Sequence, residues 1–339
     1  MKRIILNGVL VCVAALALGS GAAQAARPRI GLSLPTQREE RWVRDKQAME
    51  AEATRLGLDL RVQVTDNDAA RQVSQCENLI AQGIQVLILA PHDASSASVI
   101  VDMAARAGIR VISYDRLVMD SPREYYYISF DNVKVGELQG EFLVGRVKKG
   151  NIVVLAGSPT DNNAKLFREG AMKFIGPLVR TGDLKLGMDQ FVKDWQPAEA
   201  QRIMEQALTA NANHVDGVLA PNDGTAGGAI QALAAQHLAG RVPVTGQDAE
   251  LAAAIRIVQG TQSMTVFKDT RALGRKAIEM ALALAQGRPI ATGGRTVNNN
   301  KHAIPSVLLT PRVVTRENLD AVLITSGYLR REQVYRPKP

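Results

Sequence analysis

Three planar polar side chains, Asp161, Asn162 and Asn163, follow one another where an apolar segment meets a predicted helix. One would be enough to cap the helix, because an Asp or Asn oxygen accepts a hydrogen bond from a backbone N–H two or three residues on. Polar or aromatic residues recur at equivalent places after the other predicted strands: Arg41, Trp42, His92, Asp93, Asp115, Arg116, Asp194, Trp195, Asn222, Asp223, Gln247 and Asp248. Each alone could be a helix cap, an ion pair or a packing residue. Their recurrence in both halves of the chain predicts a shared site.

These residue types suit a neutral ligand with several hydroxyl groups. Asp, Asn and Arg present paired donors or acceptors in a fixed planar geometry that matches neighbouring hydroxyls. The chain has only two tryptophans, one in each set, and a tryptophan face can stack on the C–H face of a sugar ring. Because acids and bases are mixed, the set predicts no strong ligand charge. A monosaccharide fits this description.

Other site chemistries lack their sequence signatures. The segment "NDGTAGG" (222–228) has neither glycine order of a phosphate-binding loop, and its small residues are explained by close packing of a helix on a sheet. The four histidines are far apart and have no metal-ligand spacing. No G-x-S-x-G motif occurs, and Cys76 lies on an apolar helix face. The sequence therefore predicts no metal ion, no cofactor and no catalytic nucleophile.

Two series of alternating strands and helices would position these residues. Short apolar strands are predicted at 29–34, 60–65, 86–90, 110–115, 151–157, 188–192, 217–222 and 242–248. Within each half, successive strands start about 24–37 residues apart, as expected for βαβ units. Strands that are apolar on both faces predict parallel sheets covered by helices on both sides. The predicted fold class is α/β, with two doubly wound parallel-sheet domains whose ligand sits beyond the carboxyl ends of the strands.

Residues 1–25 have a basic start, an apolar run and a final Ala-Gln-Ala, the pattern of a cleavable secretory signal peptide. The apolar run, 4–18, is shorter than the roughly 20 residues that a membrane-spanning helix needs. Cleavage after residue 25 would lower the formal charge from +8 to +6, because Lys2 and Arg3 leave without an acidic residue. Cys76 would remain as the only cysteine, so stability must rest on a packed core rather than on a disulfide. We expect an exported soluble protein.

Longer motifs resemble one family of binding proteins. In chain order they are "ERW", "YDR", "YISFDNVKVGELQ", "GSPTDNNAKLFREG", "NDGTAGGAIQAL", "GQDAELAAAIRIVQGTQSMTVFK" and "PSVLLTP". Through them nearly the whole segment after the predicted signal peptide resembles the periplasmic D-xylose-binding family, which are type I sugar-binding proteins that serve ABC transporters. The resemblance implies a monomer that closes on a monosaccharide, with xylose favoured, and that a membrane permease then recognises in the periplasm.

The resemblance also implies a domain division. Two α/β domains would be joined by a three-crossing hinge, with crossings near 132–136, 266–270 and 303–308. The first domain would comprise 26–133 with 269–303, the second 134–268 with 304–330, and 331–339 would be a frayed tail.

Ligand contacts follow from the same motifs. The resemblance implies polar contacts from Arg41, Asp115, Arg116, Asp161, Asn163, Asn222, Asp248 and Lys268. Trp42 and Trp195 would sandwich the sugar ring. Asn162 is not among the implied contacts and is a candidate for the helix cap. "LPTQREE" before Arg41 and "PHD" at 91–93 do not match clearly, so His92 and Asp93 are not assigned and the preference among pentoses stays open.

Three alternatives remain beside a non-catalytic binding protein. The same fold could take ribose, arabinose, galactose or a signalling sugar. A glycosidase or sugar isomerase could use Asp115, Asp161 and Asp248 as acid and base, but Arg116 and Lys268 would keep these carboxylates ionised. A transcriptional repressor would need a helix-turn-helix before the first strand, where the predicted signal peptide lies. Scattered bases alternating with acids also predict no nucleic-acid binding.

Overall fold

The computed structural model describes residues 27–335. The predicted signal peptide, 1–25, lies outside the described residues, as does 336–339. In the described part of the chain, no helix is long and apolar enough to cross a membrane.

Strands and helices alternate along most of the described chain, as the sequence predicts. The strands are β1 (Arg29–Leu34), β2 (Asp59–Val64), β3 (Val86–Leu89), β4 (Arg110–Tyr114), β5 (Tyr126–Phe130), β6 (Gly150–Ala156), β7 (Leu184–Phe191), β8 (Gly217–Leu219), β9 (Thr265–Phe267), β10 (Thr296–Asn298), β11 (Ala303–Leu309) and β12 (Arg312–Val314). The helices are α1 (Glu40–Arg55), α2 (Ala69–Ala81), α3 (Ser98–Arg106), α4 (Asn132–Arg146), α5 (Asn162–Arg180), α6 (Pro197–Ala210), α7 (Asp223–Ala235), α8 (Leu251–Gln259), α9 (Thr270–Ala285) and α10 (Arg331–Val334).

The first lobe is built on a seven-stranded sheet. Its strand order is β10-β11-β5-β4-β3-β1-β2, and only the edge strand β10 is antiparallel to its neighbour. Successive side chains of a strand point to opposite faces, and in β3 Leu87 and Ile88 are fully buried in two different hydrophobic cores. Helices α1 and α9 cover one face, and α2 and α3 cover the other. The apolar run of β3 is thus explained by burial on both sides.

The second lobe combines two smaller sheets. The parallel sheet β7-β6-β8 is covered by α6 and α7 on one face and by α4 and α5 on the other. The antiparallel pair β9-β12 packs with α8 and α10 in a separate core. Both lobes therefore have helices on both faces of a parallel sheet, as predicted.

The prediction of a strand at 242–248 is wrong. The segment divides its pairing between two neighbours, because Val244 bridges Val218 of β8 while Gln247 bridges Val266 of β9. It forms no continuous ladder with either strand. It connects the two sheets of the second lobe instead, and it still ends at the predicted site residue Asp248.

The chain passes between the lobes three times: after β5 into α4, after β9 into α9, and after β11 into β12. Residues 304–309 were expected in the second domain, but β11 pairs in parallel with β5 through Leu309. They therefore extend the first sheet, and the third passage follows them. Residues 331–334 form α10 rather than part of a frayed tail, because Val334 is buried in the core of the second lobe.

Candidate ligand-binding site

A small cavity of about 30 Å³ lies between the two lobes, at the carboxyl ends of their parallel strands. All ten residues named from the sequence line it: Arg41, Trp42, Asp115, Arg116, Asp161, Asn163, Trp195, Asn222, Asp248 and Lys268. Three further residues complete the wall: Glu39, Phe167 and Gln247. The structure thus brings the predicted set together, while direct contact of each residue with a ligand stays a prediction.

Arg41 lies in the first turn of α1 and is held by carboxylates on two sides. Its Nε and Nη2 donate to Asp45 Oδ2 at 3.0 and 2.8 Å, and its Nη1 donates to Asp115 Oδ1 at 2.7 Å. Tyr114 donates its hydroxyl to the other oxygen of Asp45. Burial raises the pKa of Asp45 to about 6, against the opposing effect of Arg41. Asp45 does not line the cavity; it fixes the guanidinium that does.

Asp115, directly after β4, is an acid whose pKa two cations lower. Burial alone would raise its pKa, but Arg41 and Lys268 outweigh burial and hold the pKa at about 2. Lys268 Nζ lies 3.5 Å from Asp115 Oδ1 and 3.4 Å from Asp248 Oδ1, so it neutralises two carboxylates at once. Because Lys268 follows β9 in the second lobe, this pairing also connects the two lobes.

Asp161 uses its two oxygens for different neighbours. Oδ1 accepts from the backbone N–H of Asn163 at 2.9 Å, which caps α5. Oδ2 lies 2.8 Å from Arg116 Nε and accepts from Trp195 Nε1 at 3.2 Å. Burial raises the pKa of Asp161, although Arg116 opposes the rise. Of the two cap candidates, Asp161 rather than Asn162 caps the helix, and it does so with the oxygen that does not contact Arg116.

Asn163 joins the two lobes through its side-chain amide. Its Nδ2 donates to the carbonyl of Asp115 at 3.0 Å, and its Oδ1 accepts from Asn132 Nδ2 at 2.9 Å. Asn222 caps α7, because its Oδ1 accepts a hydrogen bond from the backbone N–H of Thr225 in a capping box. A ligand in direct contact would use the donor and acceptor sites of these two side-chain amides that the protein leaves free.

Trp195 reaches the cavity through an unusual backbone. Its φ is 57°, and Asp115 and Asp248 also have positive φ values of 58° and 97°. Non-glycine residues rarely adopt this region, and such residues concentrate at functional sites. Gly157, after β6, makes room for the indole, because a Cβ there would lie 2.0 Å from Trp195 Cη2. Phe167 supports the ring edge-on at a centroid distance of 6.3 Å.

Five buried side-chain oxygens of the described residues accept no hydrogen bond, and three of them belong to residues that line the cavity. These three are Glu39 Oε2, Gln247 Oε1 and Asp248 Oδ1. A buried acceptor without a donor costs about 1–3 kcal/mol. Asp248 Oδ1 is already paired electrostatically with Lys268 Nζ at 3.4 Å. A ligand with several hydroxyl donors would therefore remove this cost in full at Glu39 Oε2 and Gln247 Oε1.

Comparison with known proteins assigns the family. The periplasmic binding protein domain matches residues 30–289. The chain belongs to the periplasmic binding protein family. Two D-xylose-binding periplasmic proteins, from Haemophilus influenzae and Escherichia coli, are each 43% identical to it over 97% of its length and cover 98% and 99% of the relatives. A carbohydrate-transporter solute-binding protein from Chloroflexus aurantiacus, solved with D-glucose, aligns at a TM-score of 0.84 and 36% identity over 90% of this chain and 97% of that one.

These comparisons confirm the α/β fold class and the family resemblance of this periplasmic binding protein. The three relatives named above are binding proteins, and those from Haemophilus and Escherichia are periplasmic. Within residues 27–335, no group of three or more His, Cys, Asp or Glu side chains could hold a metal ion.

Three cavity residues of this periplasmic binding protein escaped the sequence analysis as ligand contacts. Phe167 lies four residues after Asn163, a spacing that places both on one helix face and could have identified it. Gln247 directly precedes Asp248 at the end of an extended segment. Glu39 lies in the segment that did not match the family motifs clearly, so only the structure identifies it.

The two unassigned residues of "PHD" lie outside the cavity wall. His92 Nε2 is 3.9 Å from Asp194 Oδ1, across the gap between the lobes. Burial, with Arg116 nearby, lowers the pKa of His92. Asp93 Oδ1 accepts from the backbone N–H groups of Ser95 and Ser96 and so organises its own loop.

Proposed function

We propose that this protein captures D-xylose by closing its two lobes on the sugar and delivers it to the permease of an ABC transporter. The observation that carries the proposal is the set of buried, unpartnered oxygens around one cavity between the lobes. Sugar hydroxyls can donate to these oxygens and accept from nearby cations. The 43% identity to two D-xylose-binding proteins favours xylose among the monosaccharides.

The mixed charges of the cavity fit a neutral sugar. Arg41, Arg116 and Lys268 face the carboxylates of Asp115, Asp161 and Asp248. These pairs leave no large excess charge, while each charged group can strengthen a hydrogen bond to a hydroxyl. Trp42 and Trp195 supply the ring faces for stacking on the sugar.

Closure follows from contacts that both lobes share with the ligand. Cavity residues come from the first lobe, such as Arg41 and Asp115, and from the second, such as Asp161 and Asp248. A sugar that touches both sets shifts an open–closed equilibrium toward the closed form. Direct bonds between the lobes add to it, including Ala94 N–H to the carbonyl of Thr160 at 2.9 Å. The closed monomer would be the form that the permease recognises in the periplasm, after cleavage of residues 1–25.

A binding role fits the acids better than a catalytic one. A general acid or base works best with a pKa near the ambient pH. Asp115 instead has a pKa of about 2 and pairs with two cations. Burial raises the pKa of Asp161, but both of its oxygens are engaged, one by the cap of α5 and the other by Arg116 and Trp195. We propose no catalytic residue and no cofactor. The same cavity could favour another monosaccharide such as ribose, arabinose or galactose; D-glucose is the alternative that a solved relative supports, at 36% identity.

Calorimetry of the chain without residues 1–25 tests the function. The panel should contain D-xylose, D-glucose, D-ribose, L-arabinose and D-galactose. We expect preferential xylose binding with a Kd of about 1 μM or lower, which corresponds to about −8 kcal/mol. Equal or tighter binding of another sugar would contradict the xylose assignment, and no sugar binding would contradict the function.

A further inference from the structure

Glu39 presents a carboxylate oxygen to the cavity that no protein group uses. The residue is 8% exposed, lines the cavity, and its Oε2 accepts no hydrogen bond. It lies at the N-cap position of α1, but its side chain makes no capping bond. Helix capping therefore does not explain why a carboxylate is buried here.

The other oxygen of Glu39 is fixed in place. Arg38 donates to Oε1 through Nη2 at 2.8 Å and through Nε at 3.2 Å. The same guanidinium donates to the backbone carbonyl of Asp194 in the second lobe. One guanidinium thus holds Oε1 of Glu39 and at the same time bridges the two lobes. Oε2 is left facing the cavity without a protein donor.

A carboxylate oxygen is an acceptor only, so its partner must be a donor. The cations already present at the cavity are committed elsewhere, because Arg41 pairs with Asp45 and Asp115, and Arg116 pairs with Asp161. A hydroxyl of a bound sugar is the donor that the proposed function supplies. A hydrogen bond to an ionised oxygen is roughly twice as strong as one between neutral groups.

We propose that Glu39 is a specificity-determining residue, whose free oxygen accepts a hydrogen bond from one particular hydroxyl of the sugar. The inference rests on the proposed monosaccharide-binding function and adds a contact that the family motifs did not imply. Glu39 would select sugars that carry a donor at that position over deoxy sugars that lack it. It would also couple this hydroxyl to the Arg38 bridge that covers the cavity.

A cycle between side-chain and ligand changes tests this contact. The variants are Glu39→Leu, which removes both oxygens at similar size, and Glu39→Gln, which keeps one acceptor oxygen. The ligands are D-xylose with its 2-, 3- and 4-deoxy forms, and D-glucose with 6-deoxy-D-glucose. The quantity to compare is the ratio of the Kd of each deoxy sugar to the Kd of its parent sugar. For one hydroxyl, this ratio should be about tenfold larger in wild type than in Glu39→Leu. Glu39→Gln should retain part of that preference, and the other hydroxyls should show no such change.

The outcomes separate this inference from the proposed function. Coupling confined to one hydroxyl supports the contact, and coupling to the 6-hydroxyl would extend the ligand class to hexoses. Equal weakening of every sugar by Glu39→Leu, or no weakening, would overturn the inference while sugar binding by wild type still stands. If wild type binds none of the sugars, the proposed function itself fails. Glu50→Gln, which removes a charge from the exposed face of the same helix, serves as the matched control and should leave all ratios unchanged.

Discussion

Two aspartates of the cavity, Asp161 and Asp115, each serve two purposes with different atoms. Asp161 caps α5 with Oδ1 and meets Arg116 with Oδ2. The backbone carbonyl of Asp115 accepts hydrogen bonds from the side chains of Tyr127, Ser129 and Asn163. Its side chain pairs with Arg41. Structural bonds thus fix the orientation of the groups that face the ligand, so little ordering is left for binding to accomplish.

Residue types at strand ends predicted a shared site there, because parallel strands deliver their following residues to one edge. The individual residues that line the cavity, Lys268 among them, followed from the family motifs. The detailed division of labour could not be predicted in the same way. The side-chain amide of Asn163 binds Asp115 and Asn132. These bonds depend on how α5 approaches β4, and that is a contact between distant parts of the chain. Glu39 was missed because its neighbours in sequence show no motif, and only the fold reveals that its oxygen lacks a partner.

The low pKa of Asp115 makes a pH-dependent prediction. A carboxyl whose folded pKa, about 2, lies below its unfolded value near 3.8 adds stability above pH 4 and loses it as the pH falls toward 2. For Asp115→Asn we expect a lower free energy of unfolding at pH 7, by about 2 kcal/mol. Asn tolerates the positive φ at this position, so the change acts on charge.

Urea unfolding of both proteins at pH 7, 5, 4 and 3 measures this effect. The difference between wild type and Asp115→Asn should shrink below pH 4, because the Asp115 carboxyl then takes up a proton in the unfolded chain while it stays ionised in the folded protein. Asp66→Asn removes an exposed carboxylate with a positive φ, and it should change stability little at any pH. A difference for Asp115→Asn that stays constant from pH 7 to pH 3 would contradict the assigned pKa.

At the level of elements, the second lobe depends on the close approach of α4 and α5. A Cβ at Gly136 would lie 1.9 Å from the carbonyl oxygen of Phe167, and one at Gly140 would lie 2.6 Å from that of Ala171. A Cβ at Gly170 of α5 would in turn lie 2.1 Å from the carbonyl oxygen of Val133 in α4. Because Phe167 lines the cavity, this glycine contact also sets the position of one cavity wall.

Gly140→Ala should therefore destabilise the protein although alanine favours helices. The added methyl would meet backbone atoms that cannot move aside, and overpacking of this kind costs about 1–3 kcal/mol. Gly145 lies in the same helix, and no atom is within 4 Å of a Cβ placed there. Gly145→Ala should therefore raise the free energy of unfolding by up to about 1 kcal/mol. Thermal unfolding of the two variants measures the contrast, and equal melting temperatures would contradict it.

The sequence analysis located most strands, but it was wrong where strands and helices do not alternate along the chain. Five strands, β5 and β9 to β12, were not predicted. No helix separates β5 from β4, whereas a parallel neighbour normally follows a helix, and β9, β10 and β12 are only three residues long. The segment at 242–248 shares its backbone bonds between β8 and β9 instead of forming a strand. Hydrophobic patterns report burial, and they do not report which neighbour receives a hydrogen bond.

On the scale of the whole molecule, bonds between the lobes lie both inside and outside the cavity. Outside it, Glu40 Oε2 of α1 accepts from the backbone N–H of Leu251 at 2.8 Å. Leu251 begins α8, and its own N-cap residue, Glu250, makes no side-chain capping bond. A carboxylate of the first lobe therefore caps a helix of the second lobe. This contact exists only while the lobes are together, so it stabilises the closed form without touching the cavity.

Removal of this cap should weaken the binding of all sugars by one common factor. Closure contributes to every affinity through the fraction of closed protein, whereas cavity residues contribute differently to each sugar. Loss of a helix cap costs about 1 kcal/mol, so Glu40→Ala should raise each Kd about fivefold and leave the order of sugars unchanged. Calorimetry with the same sugar panel measures the factor, and Glu50→Ala on the same helix is the matched control. A change in the order of sugars would show that Glu40 acts on the cavity, and unchanged affinities would show that the cap does not contribute to closure.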